Sequence, residues 1–123
     1  MRILIIEDDP DVRDTTSVAV ESMFPDANIT LLADGLEFLE VFERIPNWDL
    51  VIMDLMLPGL SGLEICKKIR SQPEGVKIPI VAMTGYDTPE TKERIQAAGA
   101  TAYLPKPFEI QELKDVIRQI FPN

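Results

Sequence analysis

Two adjacent carboxylates, Glu7 and Asp8, with Asp9 directly behind them, follow an early apolar run, and Asp54 closes another apolar run in mid-chain. Thr84 and Lys106 come after two later runs of the same kind. Clustered carboxylates repel one another unless a cation neutralises them, and hard oxygen donors without Cys or His suit Mg²⁺ best. A carboxylate oxygen can attack a phosphorus centre to give an acyl phosphate when such a cation offsets the repulsion between anionic nucleophile and anionic donor. Asp54 is placed for that chemistry, with Leu50-Val51-Ile52-Met53 before it and Leu55-Met56-Leu57-Pro58-Gly59 after it supplying apolar walls and a turn. Lys106 stands between Pro105 and Pro107. That constraint lets its ammonium be aimed at an oxyanion at reduced entropic cost. Thr84 precedes Gly85, so its hydroxyl can donate to a phosphoryl oxygen while the glycine leaves room for a bulky anion.

The composition removes most other chemistries. With no histidine, there is no His-metal site, no Ser-His or Cys-His nucleophilic pair and no phosphohistidine carrier. Cys66 is the only cysteine, which rules out an intrachain disulfide and a cysteine zinc cage and leaves it as a helix core residue. A net charge of −9 repels a phosphate backbone, so direct nucleic-acid binding by this domain is not expected. No apolar run approaches the ~18 to 20 residues that span a bilayer and no secretory leader precedes the first strand, so a cytoplasmic location away from membranes is expected. At 123 residues, 46% of them hydrophobic, the chain has the size of one domain, spanning residues 1–123.

The elements that must position these residues are legible as alternating short apolar runs and longer stretches of helical spacing, the pattern of βα units around a parallel sheet. The spacing predicts strands over Ile3 to Ile6, Asn28 to Leu32, Leu50 to Met53, Ile80 to Met83 and Ala102 to Leu104. The first, third and fourth are apolar enough to be buried on both faces and hence central. Helices are predicted over Asp11 to Met23, Gly35 to Arg44, Gly62 to Ser71, Pro89 to Ala98 and Ile110 to Ile120. Asp9 before Pro10 and Thr88 before Pro89 are N-cap signals, and Gly99 suits a left-handed exit. Ile110, Leu113, Ile117 and Ile120 should form a buried stripe on the last helix. In such a sheet the functional crevice lies outside the carboxyl ends of the strands, where all four chemical features fall.

With these residues in hand, the sequence resembles the receiver domains of two-component response regulators over essentially its whole length. The supporting strings are Ile3-Leu4-Ile5-Ile6-Glu7-Asp8-Asp9, the run from Asp49 through Asp54 to Gly62, and Tyr103-Leu104-Pro105-Lys106-Pro107-Phe108. The resemblance implies a flavodoxin-like (βα)₅ three-layer sandwich with a five-stranded parallel sheet in order 2-1-3-4-5. It implies Asp54 as phosphoacceptor, with Mg²⁺ on Asp8, Asp54 and the Met56 backbone carbonyl, and Glu7 acting mainly through water. Thr84 and Lys106 would contact the phosphoryl group, and the Lys106-Pro107 bond would be cis. The implied donor is a sensor histidine kinase or a His-containing phosphotransfer protein. The signal would leave when Thr84 moves toward the phosphoryl group and Tyr103 turns inward, reshaping the face of the fourth helix, fifth strand and fifth helix for an unnamed downstream effector. This would be a signalling switch and not a metabolic enzyme.

Met56 and Tyr86, two residues beyond Asp54 and Thr84, are bulky and neither acidic nor amide, so they are expected to impede an attacking water and slow autodephosphorylation. Gly99-Ala100-Thr101-Ala102 lacks the acids that many dimerising DNA-binding regulators carry there, and that dimer is not expected. A haloacid-dehalogenase-like phosphatase needs an acid where Met56 stands, and the chain has no room for a cap domain. A flavin domain needs an anion-binding first loop, which Glu7-Asp8-Asp9 would repel. A pseudo-receiver would lack the full site set. Met1 directly before the first strand points to a true start, while Phe121-Pro122-Asn123 fits either a stand-alone receiver or the first part of a longer chain.

Overall fold

Strands and helices alternate along the computed structural model, which describes residues 1–122; Asn123, included in the expected domain span, lies outside the described residues. The order is β1 (Arg2–Ile6), α1 (Pro10–Met23), β2 (Asn28–Leu32), α2 (Gly35–Arg44), β3 (Leu50–Asp54), α3 (Gly62–Ser71), β4 (Ile80–Thr84), α4 (Pro89–Ala98), β5 (Ala102–Pro105) and α5 (Ile110–Ile120). All pairings are parallel, and the sheet runs β2-β1-β3-β4-β5. This is the flavodoxin-like fold expected from the sequence. The three apolar runs read as central strands are the three inner ones, with β3 and β4 buried at every residue.

Period-2 alternation splits the sheet residues between two cores. Leu4, Ile6, Val51, Met53, Ile80 and Ala82 pack with Phe38 of α2, Ile65 and Ile69 of α3, and Ile95 of α4. Ile3, Ile5, Leu50, Ile52, Val81 and Met83 pack with Ala19 and Val20 of α1 and Leu113 and Ile117 of α5. Each fully buried Ile or Leu contributes about 1.5–3 kcal/mol relative to exposure, so the inner strands anchor the whole sheet. Cys66 is buried in the first of these cores, as its helical position indicated.

Helix starts follow local chemistry. The Asp9 carboxylate accepts from the N–H groups of Asp11 and Val12, Asp34 accepts from Glu37 N–H, Ser61 from Glu64 N–H and Thr88 from Thr91 N–H. Gly99 ends α4 at φ 104°, a left-handed conformation that carries no Cβ penalty in glycine. Two details differ from expectation. A 3₁₀ turn over Pro73–Gly75 interrupts the connection from α3 to β4, and Ile110 is 42% exposed. Ile110 opens α5, one turn before the helix reaches the sheet, so Leu113 and Ile117 carry the buried stripe and Ile120 is half-buried.

Strand ends run one residue further than the apolar runs. Asp54, Thr84 and Pro105 are the last residues of their strands, and β5 admits a proline because it is an edge strand. Among the described residues no helix is long and apolar enough to cross a membrane.

Candidate functional site

Parallel register decides which side chains meet at the carboxyl edge. Ile6 pairs with Met53, Asp54 with Met83, and Thr84 with Pro105, so Glu7, Asp54, Thr84 and Lys106 emerge side by side from adjacent strands. The loop after β3 is held against the strand by Gly62, whose N–H donates to the Leu55 carbonyl at 3.0 Å. A Cβ on Gly62 would lie 2.6 Å from the Asp54 carbonyl oxygen and 2.7 Å from Leu55 Cα, both backbone atoms that cannot swing away. The glycine thereby sets how closely α3 approaches Asp54.

Glu7 is fully buried and Asp54 is 6% exposed, whereas Asp8 faces solvent. One carboxylate oxygen from each of the three lies within 4.8 Å of the others. The Lys106 ammonium enters this cluster, donating to Glu7 Oε1 and, at 3.0 Å, to Asp54 Oδ2. Asp54 Oδ1 accepts from Met56 N–H at 3.3 Å, and Glu7 Oε2 from Asp9 N–H at 3.2 Å. Burial pushes the Glu7 carboxyl from 4.5 up to about 7, the Asp54 charge adding to the rise and the Lys106 hydrogen bond opposing it. Burial alone would lower the Lys106 ammonium, but its bonds to Glu7 and Asp54 outweigh that and hold it above its ordinary value. Lys106 thus bonds to both buried carboxyl groups, and Asp8 is the exposed member of the cluster.

The donor set fits a hard divalent cation. It is all oxygen and convergent, it is anionic, and one member, Asp8, is accessible from water. Met56 is 61% exposed beside Asp54, and its side chain lines a groove of about 300 Å³ with Leu55, Thr84, Tyr86 and Arg94. Thr84 is fully buried, and its Oγ1 accepts from Tyr86 N–H at 3.0 Å. Gly85 has nothing within 4 Å of where a Cβ would stand, so space beside Thr84 is open. The Lys106-Pro107 peptide bond is cis.

Tyr103 lies on the edge strand β5, paired with Ala82 of β4. Its ring is half-buried against the core shared with α2 to α4, and its hydroxyl donates to Asp87 Oδ1. Two participants had no sequence signal. Asp87 is one, and Arg13 is the other: its guanidinium donates to the Glu7 carbonyl at 2.9 Å and pins the start of the acidic loop. Neither contact follows from spacing, since each joins separate elements.

An open parallel sheet with an acidic cluster, a buried aspartate and a lysine at its carboxyl edge defines an α/β protein whose strand-end crevice offers an oxygen donor set for a hard cation. Residues 3–118 match the family described as response regulator receiver domain. The response regulator MprA of Mycobacterium leprae (strain TN) is 38% identical over 120 residues, covering 98% of this chain and 50% of that protein. Among solved structures, the signal receiver domain of a DNA binding response regulator protein (merR) from Colwellia psychrerythraea 34H is 33% identical with a TM-score of 0.89, covering 100% of this chain and 99% of that one. The receiver domain of sensor histidine kinase PA1611 from Pseudomonas aeruginosa PAO1, solved with a magnesium ion coordinated in the active site cleft, is 31% identical with a TM-score of 0.85 over 99% and 98% of the two chains. The chain belongs to the response regulator receiver domain family. It is a two-component signalling domain of the kind that responds to phosphorylation, and it spans about half the length of the curated relatives it matches.

Proposed function

We propose that Asp54 is the phosphoacceptor of a two-component switch. The observation that carries this is the placement of Asp54: 6% exposed at the end of an otherwise apolar strand, 3.0 Å from the Lys106 ammonium, and sharing an oxygen cluster with Glu7 and Asp8. A Mg²⁺ ion, when bound, supplies positive charge that lets an anionic nucleophile approach an anionic donor. Asp8, Asp54 and the Met56 carbonyl would hold it, with Glu7 acting mainly through water.

The donor is a phosphorylated histidine of a sensor histidine kinase or a His-containing phosphotransfer protein. An Asp54 carboxylate oxygen forms a bond to phosphorus as the bond from phosphorus to the histidine nitrogen breaks, and the imidazole leaves with that electron pair. Lys106, already beside Asp54 Oδ2, offsets the charge that arrives. The Thr84 hydroxyl accepts from Tyr86 N–H and keeps its own proton free to donate to a phosphoryl oxygen. When Thr84 turns to that oxygen, Tyr103 moves inward, and the α4–β5–α5 face presents a different surface to a downstream effector. The new anion does this by favouring one of two pre-existing arrangements. A net charge of −9 argues against direct nucleic-acid binding by this domain, and its place of action is the cytoplasm.

Incubation with a small-molecule phosphodonor and Mg²⁺, read by intact mass, tests the acceptor. The expected result is one phosphoryl addition in the parent and none in Asp54→Asn. Absence of any addition in the parent under several donors would overturn the reading.

A further inference from the structure

The loop between β4 and α4 is tied at both sides. Thr84 Oγ1 accepts from Tyr86 N–H at 3.0 Å, and Asp87 Oδ1 accepts from the Tyr103 hydroxyl, 16 residues away on β5. Tyr86 and Asp87 are exposed and Gly85 has open space around it, while Thr88 N–H donates to the Tyr86 carbonyl at 3.1 Å within the loop. The Tyr103 ring meanwhile packs on the core edge with only its tip reaching the loop. Partial burial and the Asp87 carboxylate push the phenol up to about 12, in keeping with a hydroxyl that donates to an anion.

We propose that Asp87 is a positioning residue that acts through Tyr103: its carboxylate latches the ring in the outward position and so weights the switch toward the unphosphorylated arrangement. The inference rests on the reading of Thr84 and Tyr103 as the moving pair. For the ring to turn inward, its hydroxyl must leave Asp87. For Thr84 to reach a phosphoryl oxygen, its Oγ1 must release Tyr86 N–H. Both released groups belong to adjacent residues of one short loop, so loosening one side frees the other. On this proposal the two motions are coupled through positions 85–87, with the Asp87 contact made in the outward arrangement and lost in the inward one. A contact made in one state alone shifts the equilibrium by its own differential strength.

Ring NMR of the unphosphorylated protein reads the latch directly. In Asp87→Ala, NOEs from the Tyr103 ring to the Thr84 methyl should appear or strengthen, and the rate of phosphorylation by acetyl phosphate should rise about three- to tenfold, as expected when a minor competent state becomes more populated. Asp87→Asn keeps an acceptor oxygen and should fall between the two. In a Tyr103→Phe background, replacing Asp87 should change the rate no further, because the partner hydroxyl is gone. Unchanged ring NOEs in Asp87→Ala overturn the latch, as does an equal rate increase in the Tyr103→Phe background. NOEs that strengthen with no change in rate overturn its influence on phosphorylation. If the parent takes up no phosphoryl group, or Asp54→Asn takes it up as fully as the parent, the acceptor reading falls; the NOEs then decide the latch by themselves.

Discussion

Glu7 is a carboxyl whose environment departs far from its ordinary one. Fully buried and raised from 4.5 to about 7, it binds a proton in the folded protein that it has lost in the unfolded chain across that interval. The folded state holds more protons at this group there, so the contribution of Glu7 to stability falls as pH rises from about 4.5 to about 7. Without metal, Glu7→Gln should flatten that decline by about 1–3 kcal/mol, read from urea unfolding at several pH values; an unchanged slope would remove Glu7 as its source. The identity of Glu7 was plain in the sequence. Its full burial under Lys106, 99 residues away, was not.

Met56 stands two residues beyond Asp54. Its side chain is 61% exposed at the mouth of the groove that reaches Thr84 and Tyr86, a position from which it can obstruct an incoming water. Met56→Asn should speed acyl-phosphate decay by about tenfold, on the scale of a modest general-base or water-positioning effect. Loss of phosphoryl mass with time after donor removal checks it, and equal or slower decay counts against the idea.

At the scale of elements, the chain announced its strands and helices because each carries its own signal. β1, β3 and β4 are continuous apolar runs, and α1, α3 and α4 have side-chain caps one residue before them. What escaped were features that depend on a neighbour. The turn at Pro73–Gly75 is one. It is held by Arg70, whose guanidinium donates to the carbonyls of Gly75 and Ile78 at 2.7 Å and of Gly99 at 2.9 Å, joining the α3–β4 and α4–β5 connections, which sequence spacing cannot relate. The contact of Gly62 with the Asp54 backbone is another. Gly62→Ala should destabilise the protein by about 1–3 kcal/mol, since the added carbon meets only backbone. The urea midpoint measures this, and a variant as stable as the parent would show that α3 can shift without cost.

On the scale of the whole molecule, 21 acidic residues against 12 basic ones make the carboxyl-edge crevice a natural place for a cation, because three carboxylates converge there. A ligand that binds only the folded state stabilises it by about 2.7 kcal/mol at a hundredfold excess over its Kd. Mg²⁺ should therefore raise the thermal midpoint of the parent, chelation should reverse the rise, and Asp8→Asn should lose most of it. Asp8 suits this test because its exposed side chain holds no core contact. An equal rise in Asp8→Asn would place the ion elsewhere.

Taken alone, the sequence determined the kinds and order of the elements, the inner strands, and the residues standing at strand ends, because hydrophobic period, caps and turn residues act within a few positions of one another. Family strings around Glu7, Asp54 and Lys106 carried the rest of that reading. The tertiary structure alone decided which of these groups touch: Lys106 on Glu7 and Asp54, Arg13 on the Glu7 carbonyl, Tyr103 on Asp87. Those contacts follow from strand register and from how deeply each end is buried, quantities set by packing across the whole sheet that no local pattern encodes.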